Sequence, residues 1–123
     1  MKTVSKCMAA VLMLLPVSPA LADMQAEIRH LLDYLGTPGC EFERNGSVYD
    51  AGKARAHLER KYEHIRSRVH ETEDFIRYAA TGSSMTGSKY HVTCNGRRHA
   101  SAGWLQAELS RYRDNPPGAA APE

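Results

Sequence analysis

Apolar side chains recur at intervals of three and four residues in four segments of the chain, a spacing typical of amphipathic helices. In the second segment the charged residues lie on the face opposite the apolar stripe, as expected for a helix with one solvated side. The pattern therefore predicts four helices, each of which buries one face. The apolar positions are Met24, Ile28, Leu31, Leu32 and Leu35 in the first segment; Ala54, Leu58, Tyr62, Ile65 and Val69 in the second; Phe75, Ile76, Ala79 and Ala80 in the third; and Trp104, Leu105, Leu109 and Tyr112 in the fourth.

Helix-capping and helix-breaking residues mark the ends of these segments. The first helix is predicted over residues 24–35, because Gly36 suits the left-handed position that follows many helices. Asp50, Thr72 and Ser101 each precede one of the other apolar segments. We expect the side-chain oxygens of these three residues to cap the second, third and fourth helices.

Two Asn-Gly dipeptides lie beside short segments of alternating polarity, which is the strongest short-range signal for a β-hairpin. Asn45-Gly46 separates residues 40–44 from residues 47–49, and Asn95-Gly96 follows the alternating residues 90–94. The segments around the first turn are short, so a tight polar turn without paired strands is the alternative interpretation there.

Four helices and two hairpin turns in a chain of 123 residues predict one small α+β domain, mostly helical, with one or two short antiparallel hairpins. The pattern leaves open whether the two hairpins join into one sheet. We expect the domain to occupy residues 23–113. Residues 114–123 contain three of the six prolines and a run of alanines, so they predict a disordered tail.

The first 22 residues have the three parts of a secretory signal peptide. Lys2 and Lys6 form a positive region, residues 8–15 are uninterruptedly apolar, and Ala20-Leu21-Ala22 is a small-x-small cleavage pattern. The apolar stretch is shorter than the roughly 20 residues that span a bilayer, so cleavage after Ala22 is predicted and a retained anchor is the alternative. These features predict export to the periplasm, with no stable membrane insertion after cleavage.

The charge balance of the chain changes once the signal peptide is removed. The whole chain carries 16 Lys and Arg against 14 Asp and Glu, and Lys2 and Lys6 account for the difference. A neutral mature chain lacks the basic surplus that nucleic-acid binding requires, so nucleic acid is not an expected partner. A single small domain also leaves no room for a large cofactor-binding scaffold, and no cofactor is predicted.

Export makes the cysteine count informative. Of the three cysteines, Cys7 lies in the predicted signal peptide, which leaves Cys40 and Cys94. Two cysteines in an oxidising compartment are expected to form a disulfide, which here closes a loop of about 55 residues. A reactive thiol paired with a histidine is the alternative, although no local pattern around either cysteine favours it.

Four strings of residues, taken together in their order and spacing, resemble a known family. The strings are Cys40-x-Phe42-x-Arg44-Asn45-Gly46-x-x-Tyr49, His57-Leu58-x-x-Lys61-Tyr62, Thr72-Glu73-Asp74-Phe75-Ile76 and Thr81-x-Ser83-Ser84-x-Thr86-Gly87-x-x-Tyr90-x-x-x-Cys94. They resemble domain-of-unknown-function family 5329, a family of small exported bacterial proteins, over nearly all of residues 24–113. The resemblance implies a Gram-negative periplasmic protein with one disulfide. It implies no assigned activity and no catalytic residues.

Polar residues outside the helical stripes form three groups that are candidates for ligand binding. They lie at the first turn, on one face of the second helix, and in and just after a glycine-bearing segment, residues 81–88, here called the polar loop. Arg and Lys side chains with loop hydroxyls and amides suit an anion or a sugar. The alternative is that these residues serve turn geometry, satisfy loop backbone groups or are simply solvated. The candidate ligand-binding residues are Arg44, Asn45, Tyr49, His57, Lys61, Ser83, Ser84 and Tyr90.

Catalytic interpretations have less support in the sequence. Ser83 or Ser84, activated by His57 or Lys61, would make a nucleophilic enzyme, but neither a Gly-x-Ser-x-Gly nor a Ser-x-x-Lys string occurs. Glycosidase chemistry needs two carboxylates across a cleft, and the available carboxylates are explained by a strand face and a helix start.

Six histidines raise the question of a metal site, but their spacing argues against one. His57 and His64 lie roughly 10.5 Å apart along a helix, which is too far to bind one ion together. His91 and His99 are placed to approach each other across the second hairpin, but two ligands make a weak site. No metal is therefore predicted.

The sequence as a whole favours a periplasmic, non-enzymatic module that binds a small anionic or sugar-like ligand or interacts with an envelope protein. One alternative is a small envelope hydrolase or transferase with a loop serine nucleophile. Another is an inhibitor of a secreted enzyme, in which the Asn45-Gly46 turn enters the partner's cleft.

Overall fold

A computed structural model describes residues 19–116, with side chains from residue 23 onward. Over this range the chain forms four helices and one four-stranded antiparallel sheet, so the predicted α+β class is confirmed. In chain order the elements are α1 (Pro19–Leu35), β1 (Cys40–Arg44), β2 (Ser47–Asp50), α2 (Ala51–Ile65), a 3-10 turn (Arg66–Arg68), α3 (Thr72–Ala79), β3 (His91–Cys94), β4 (Arg97–Ala100) and α4 (Ser101–Asp114).

Both Asn-Gly pairs form the predicted two-residue hairpin turns. Asn45 and Gly46 have φ angles of 52° and 78°, and Asn95 and Gly96 have φ angles of 51° and 76°. A type I′ turn requires positive φ at both central residues, which asparagine and glycine tolerate best. The first turn connects paired strands, since β1 and β2 form an antiparallel ladder of four residue pairs. The hairpin is therefore confirmed over the alternative of an isolated polar turn.

Strand β1 also pairs with β3, which joins the two hairpins into one sheet of strand order β2-β1-β3-β4. Cys40 lies directly opposite Cys94 in this ladder with the Cα atoms 4.3 Å apart, and the two side chains form a disulfide. The predicted pairing is thus confirmed over the alternative of a reactive thiol. Because α2 and α3 lie between the hairpins in the chain, the disulfide joins strands that are 54 residues apart in sequence.

The core lies between the sheet and the helices. Helix α2 packs against β1 and β2, α4 packs against β3 and β4, and α1 and α3 both pack on these two helices. Phe42 and Val92 are opposite each other in the β1–β3 ladder, and both are buried in the same cluster as the helical apolar residues. The side chains without exposed surface include Leu31, Leu58, Phe75 and Leu105, one from each helix.

Helix α2 begins as predicted but ends earlier than its apolar stripe indicates. The Asp50 side chain accepts a hydrogen bond from the backbone N–H of Lys53 at 2.8 Å, which confirms the predicted cap. The helix ends at Ile65, and the 3-10 turn follows. Val69 is nevertheless buried, so the apolar stripe continues into the core through the turn rather than along the helix.

The predicted caps of α3 and α4 are wrong. Thr72 is the first residue of α3 and is buried. Its hydroxyl donates to the Glu27 carboxylate on α1 and does not cap the helix. Glu71 takes the cap position, and the Asp74 carboxylate accepts the backbone N–H of Glu71 at 3.2 Å. Ser101 is likewise the first residue of α4, and its buried hydroxyl has no hydrogen-bond partner among the described residues. In both helices the cap position therefore lies one residue before the predicted one.

Two predicted segments fall largely outside the described residues. Of the predicted signal peptide, residues 1–22, the structure describes only the last four residues. These four residues belong to α1, so the helix begins at Pro19 and not at residue 24 as predicted. Of the predicted tail, residues 117–123 lie outside the described range, and α4 continues to Asp114. Between residues 19 and 116, no helix has both the length and the apolar character needed to cross a membrane.

Removing the disulfide should strongly destabilise the fold. In a Cys40→Ser/Cys94→Ser double variant the unfolded chain regains the freedom of a loop of about 55 residues, and we expect the free energy of unfolding to fall by about 4 kcal/mol. Urea denaturation of the variant and of the oxidised wild type, followed by circular dichroism, measures the difference. Reductant should destabilise the wild type and leave the double variant unchanged. Equal unfolding midpoints for oxidised and reduced wild type would contradict this expectation.

Candidate functional site

A pocket of about 200 Å³ opens between the first turns of α2 and the first hairpin. Alternate residues of a strand face the same side of the sheet, so Phe42 and Arg44 of β1 both face α2. Tyr49 of β2 lies opposite Phe42 in the ladder and shares that face. The lining residues are Phe42, Arg44, Tyr49, Lys53, Ala54, Ala56, His57 and Arg60, and this set is called the cationic pocket below.

The lining of the cationic pocket carries positive charge without a balancing acid. Arg44, Lys53 and Arg60 are cationic, and none of the lining residues is a carboxylate. Among the side chains of residues 23–116, no ion pair links any of these three to an Asp or Glu. Like charges gathered around one concavity produce a positive potential that attracts anions.

Arg44 is held at the centre of the pocket by uncharged partners. Its Nη1 lies 3.2 Å from each ring nitrogen of His57, and its Nη2 donates to the Tyr49 hydroxyl at 3.2 Å. The guanidinium carbon also lies 5.2 Å from the centroid of the Tyr49 ring. These contacts orient the planar guanidinium but do not neutralise its charge.

Burial, hydrogen bonding and the nearby positive charges shift the pKa values of two groups in the pocket. Burial is the largest cause that lowers the pKa of His57, and the charges of Arg44, Lys61 and Arg60 lower it further. The imidazole therefore stays neutral at pH values where an exposed histidine begins to protonate. The hydrogen bond from Arg44 is the largest cause that lowers the pKa of the Tyr49 hydroxyl, because it stabilises the phenolate.

Lys61 anchors the polar loop and does not line the cationic pocket. Its Nζ donates to the Gly82 carbonyl oxygen at 2.7 Å and to the Tyr90 hydroxyl at 3.2 Å. The His57 and Tyr90 rings meet edge to face with centroids 6.1 Å apart, so this anchor adjoins the pocket. Glycine is required at position 82, because a Cβ there would lie 2.8 Å from the carbonyl oxygen of Ser88.

The two loop serines do not contact a candidate base. The Ser83 hydroxyl accepts the backbone N–H groups of two neighbouring loop residues at 3.3 Å, and Ser84 is exposed. In the part of the chain that the structure describes, no hydrogen bond joins either serine to His57 or Lys61. The geometry therefore gives no support to the hypothesis of a loop nucleophile.

The eight candidate residues thus divide into three groups in space. Thr86 of the polar loop donates to the side-chain oxygen of Asn45 at 2.9 Å, which connects the first turn to the loop. Arg44, Tyr49 and His57 lie together in the cationic pocket; Lys61 and Tyr90 form the adjoining anchor; and Asn45, Ser83 and Ser84 lie at the turn and in the loop.

Two cationic lining residues, Lys53 and Arg60, were not among the candidates. The amphipathic pattern places both on the charged face of α2, which it assigns to solvent. Their spacing contained a usable signal: Lys53, His57 and Arg60 are four and three residues apart and therefore share one helix face. The shared helix face of these residues, next to the predicted hairpin, is a more direct indication of a pocket than the presence of Lys, His and Arg by itself.

The described histidines do not form a metal site. Between residues 19 and 116, no three His, Cys, Asp or Glu side chains are grouped so that they could hold an ion. The predicted approach of His91 to His99 is wrong, because His91 pairs with Ala100 and His99 with Val92. Successive side chains of a strand point to opposite faces, so the two imidazoles lie on different sides of the sheet.

These features define a small disulfide-bonded α+β domain with an unbalanced cationic pocket beside its sheet. The chain belongs to the family of unknown function DUF5329, whose family model matches residues 22–113, and this confirms the resemblance seen in the sequence. It is 34% identical over 90 residues to the uncharacterized protein YfeK of Salmonella typhimurium, and the match covers 69% of this chain and 75% of YfeK. No solved structure matches the chain.

Replacing Arg44 should change the protonation of His57 in a defined direction. In Arg44→Gln the pKa of His57 should rise because the nearest positive charge is lost, but it should remain below its ordinary value because burial persists. A pH titration of the imidazole C–H resonances by NMR measures this pKa. Arg29→Gln on α1 is the matched control and should leave the His57 pKa unchanged. An unaltered His57 pKa in Arg44→Gln would refute the electrostatic coupling.

Proposed function

We propose that this protein is a non-enzymatic binding module that takes up a small anion in the cationic pocket. The single observation that carries the proposal is the arrangement of Arg44, Lys53 and Arg60 around one pocket whose lining contains no carboxylate. Among the described residues, none of these three side chains forms an ion pair with an acid. A bound anion would supply the missing negative charge.

The chemistry of the lining suits an anionic oxygen group. The Arg44 guanidinium offers a planar fork of donors, and Lys53 offers a point charge with rotatable donors. Hydrogen bonds to charged groups contribute about 1.5–3 kcal/mol each, roughly twice the value of neutral ones. The buried side chains of Phe42 and Ala54 form an apolar part of the lining, which strengthens these interactions by excluding water.

The size of the pocket narrows the class of ligand. Its volume of about 200 Å³ is smaller than the lower bound of about 300 Å³ for most small-molecule sites. This size favours a compact group such as a sulfate, a phosphate or a small carboxylate. A sugar-like ligand would enter this pocket only through an anionic substituent.

The positive potential results from the arrangement of charges in the fold, since the chain outside its first 22 residues has equal numbers of acidic and basic residues. Acidic side chains are used in pairs elsewhere: Glu108 binds Arg111, and Glu27 and Glu73 both bind Arg113. None of the residues that line the cationic pocket is an acid, although Asp50, which caps α2, accepts the backbone N–H of Lys53 close by. The asymmetry favours a ligand site over a uniformly solvated surface.

We also propose that the protein is exported to the periplasm and cleaved after Ala22. The signal-like pattern of residues 1–22 and the Cys40–Cys94 disulfide both support this proposal, because disulfides persist in oxidising compartments. Cleavage there would make Asp23 the first residue of the mature chain.

Sulfate should bind in the cationic pocket and should bind less tightly when a lining cation is removed. We expect Lys53→Gln and Arg60→Gln each to weaken the affinity about tenfold, the effect of losing about 1.4 kcal/mol of interaction. Titration of the protein with sodium sulfate at constant ionic strength, followed by two-dimensional NMR, measures the dissociation constant. Sulfate is a suitable probe because its charge is constant over the pH range in which His57 titrates.

A second pocket of equal volume provides the control for the sulfate experiment. It is lined by Arg29, Arg55 and Arg66, but Glu59 and Glu63 also line it. Arg29→Gln should therefore leave sulfate binding unchanged. Sulfate should raise the pKa of His57 when it binds in the cationic pocket, which His57 lines, and not when it binds in the second pocket. The proposal fails if folded wild-type protein shows no saturable shift, or if Arg29→Gln weakens binding as much as Lys53→Gln.

The mature protein should begin at Asp23. Expression of the full chain in a Gram-negative host, osmotic release of the periplasm and intact-mass analysis would give the N-terminus and the state of the cysteines. A released chain that starts at Asp23 with its disulfide formed is expected. Recovery of the intact chain, Met1 included, only from the cytoplasm would overturn the export proposal without bearing on the pocket.

A further inference from the structure

Glu108 is a carboxylate buried on the inner side of α4. Only 3% of the residue is exposed, and its neighbours Leu105 and Leu109 have no exposed surface. The carboxylate is paired, since Arg111 Nε donates to its Oε1 at 2.6 Å and His30 Nε2 lies 3.3 Å from its Oε2. A leucine at this position would avoid the cost of desolvating the charges altogether, so packing alone does not account for Glu108.

These groups line a pocket of about 260 Å³ between α1 and the end of α4. All of its lining residues carry hydrogen-bonding side chains, so the pocket contains both donors and acceptors. Its charge differs from that of the cationic pocket, because the Arg111 guanidinium is balanced by the Glu108 carboxylate. The pocket therefore offers hydrogen bonds without a field that selects ions. Its lining residues are His30, Glu108, Arg111, Tyr112 and Asn115.

Aromatic rings stack beside this pocket. The rings of His30 and Tyr112, which both line the pocket, stack with centroids 4.3 Å apart. His30 also stacks on Tyr34, and Tyr34 stacks on Trp104, so Trp104 lies at the far end of the stack from Tyr112. All four residues are half-buried. His30 covers one face of the Tyr112 ring, which leaves the other face for a ligand.

We propose that this pocket binds a neutral sugar ring, at a site separate from the anion site. A pyranose presents an apolar C–H face, which suits the Tyr112 ring, and a rim of hydroxyls that both donate and accept hydrogen bonds. The Asn115 carboxamide supplies a donor and an acceptor, and the exposed Arg111 guanidinium retains donors beyond its bonds to Glu108. The volume is close to the lower bound of about 300 Å³ for small-molecule sites, which fits one ring rather than a chain.

Titration with two neutral sugars tests this site directly. Methyl β-glucoside and N-acetylglucosamine are added separately to the folded protein, and two-dimensional NMR follows the side-chain amide of Asn115, which lines the pocket. The indole of Trp104, the single tryptophan in the chain, lies outside the lining and serves as a reference signal. We expect a saturable shift of the Asn115 signal with at least one of the two sugars.

Variants locate the binding and separate it from the anion site. Tyr112→Leu and Asn115→Ala should each weaken the sugar affinity about tenfold, whereas Tyr78→Leu, the same change on α3, should not. Lys53→Gln should leave sugar binding unchanged, so failure of this proposal and failure of the anion proposal are distinguishable. Two results overturn the sugar site: no saturable shift with either sugar, or shifts that persist unchanged in both Asn115→Ala and Tyr112→Leu.

Discussion

The pairing of β1 with β3 is the constraint on which the rest of the structure depends. It sets Cys40 opposite Cys94 and Phe42 opposite Val92, so the covalent bond and the core contact specify the same register. A slip by one residue would turn every side chain of the strand to the other face of the sheet. Arg44 lies two residues beyond Phe42 on the same strand and faces the same side, so its position in the cationic pocket follows from this register as well.

The distribution of charge gives two of the molecule's pockets different chemistry. On the side formed by α1, α3 and α4, acidic and basic groups are paired: Glu108 holds Arg111, and Arg113 bridges Glu27 and Glu73. At the start of α2, basic groups face the first hairpin in a pocket whose lining contains no acid. A chain with nearly balanced charge therefore combines a neutral hydrogen-bonding concavity with a positive one, which the total charge does not reveal.

Features that depend on neighbouring residues could be predicted from the sequence, and most features that depend on distant ones could not. The disulfide is the exception, because only two cysteines lie outside the predicted signal peptide. The Asn45-Gly46 turn depends only on the backbone torsion angles of those two residues. Asp50 caps α2 by accepting the backbone N–H of Lys53, three residues further along the chain. Thr72 fails as a cap because its hydroxyl bonds Glu27, which is 45 residues away in the chain. No local pattern contains that contact.

The candidate sites follow the same division. Arg44, Tyr49 and His57 could be predicted because polar residues around a turn and on a helix face stand out from the apolar periodicity. The spacing of Lys53 and Arg60 places them on the same helix face as His57, but an amphipathic pattern does not say what lies across from that face. The surroundings of Glu108 similarly include His30 of α1, which is 78 residues away in the chain.

Helix α2 carries the core stripe and the pocket cations on different faces. Ala54, Leu58 and Tyr62 are buried against the other elements, while Lys53 and Arg60 are exposed. Because the exposed positions take no part in packing the core, substitutions there alter the charge of the pocket at little cost to folding. The charge of the pocket and the packing of the core are therefore largely independent on this helix, and descendants of this scaffold are free to change the former while they keep an unchanged interior.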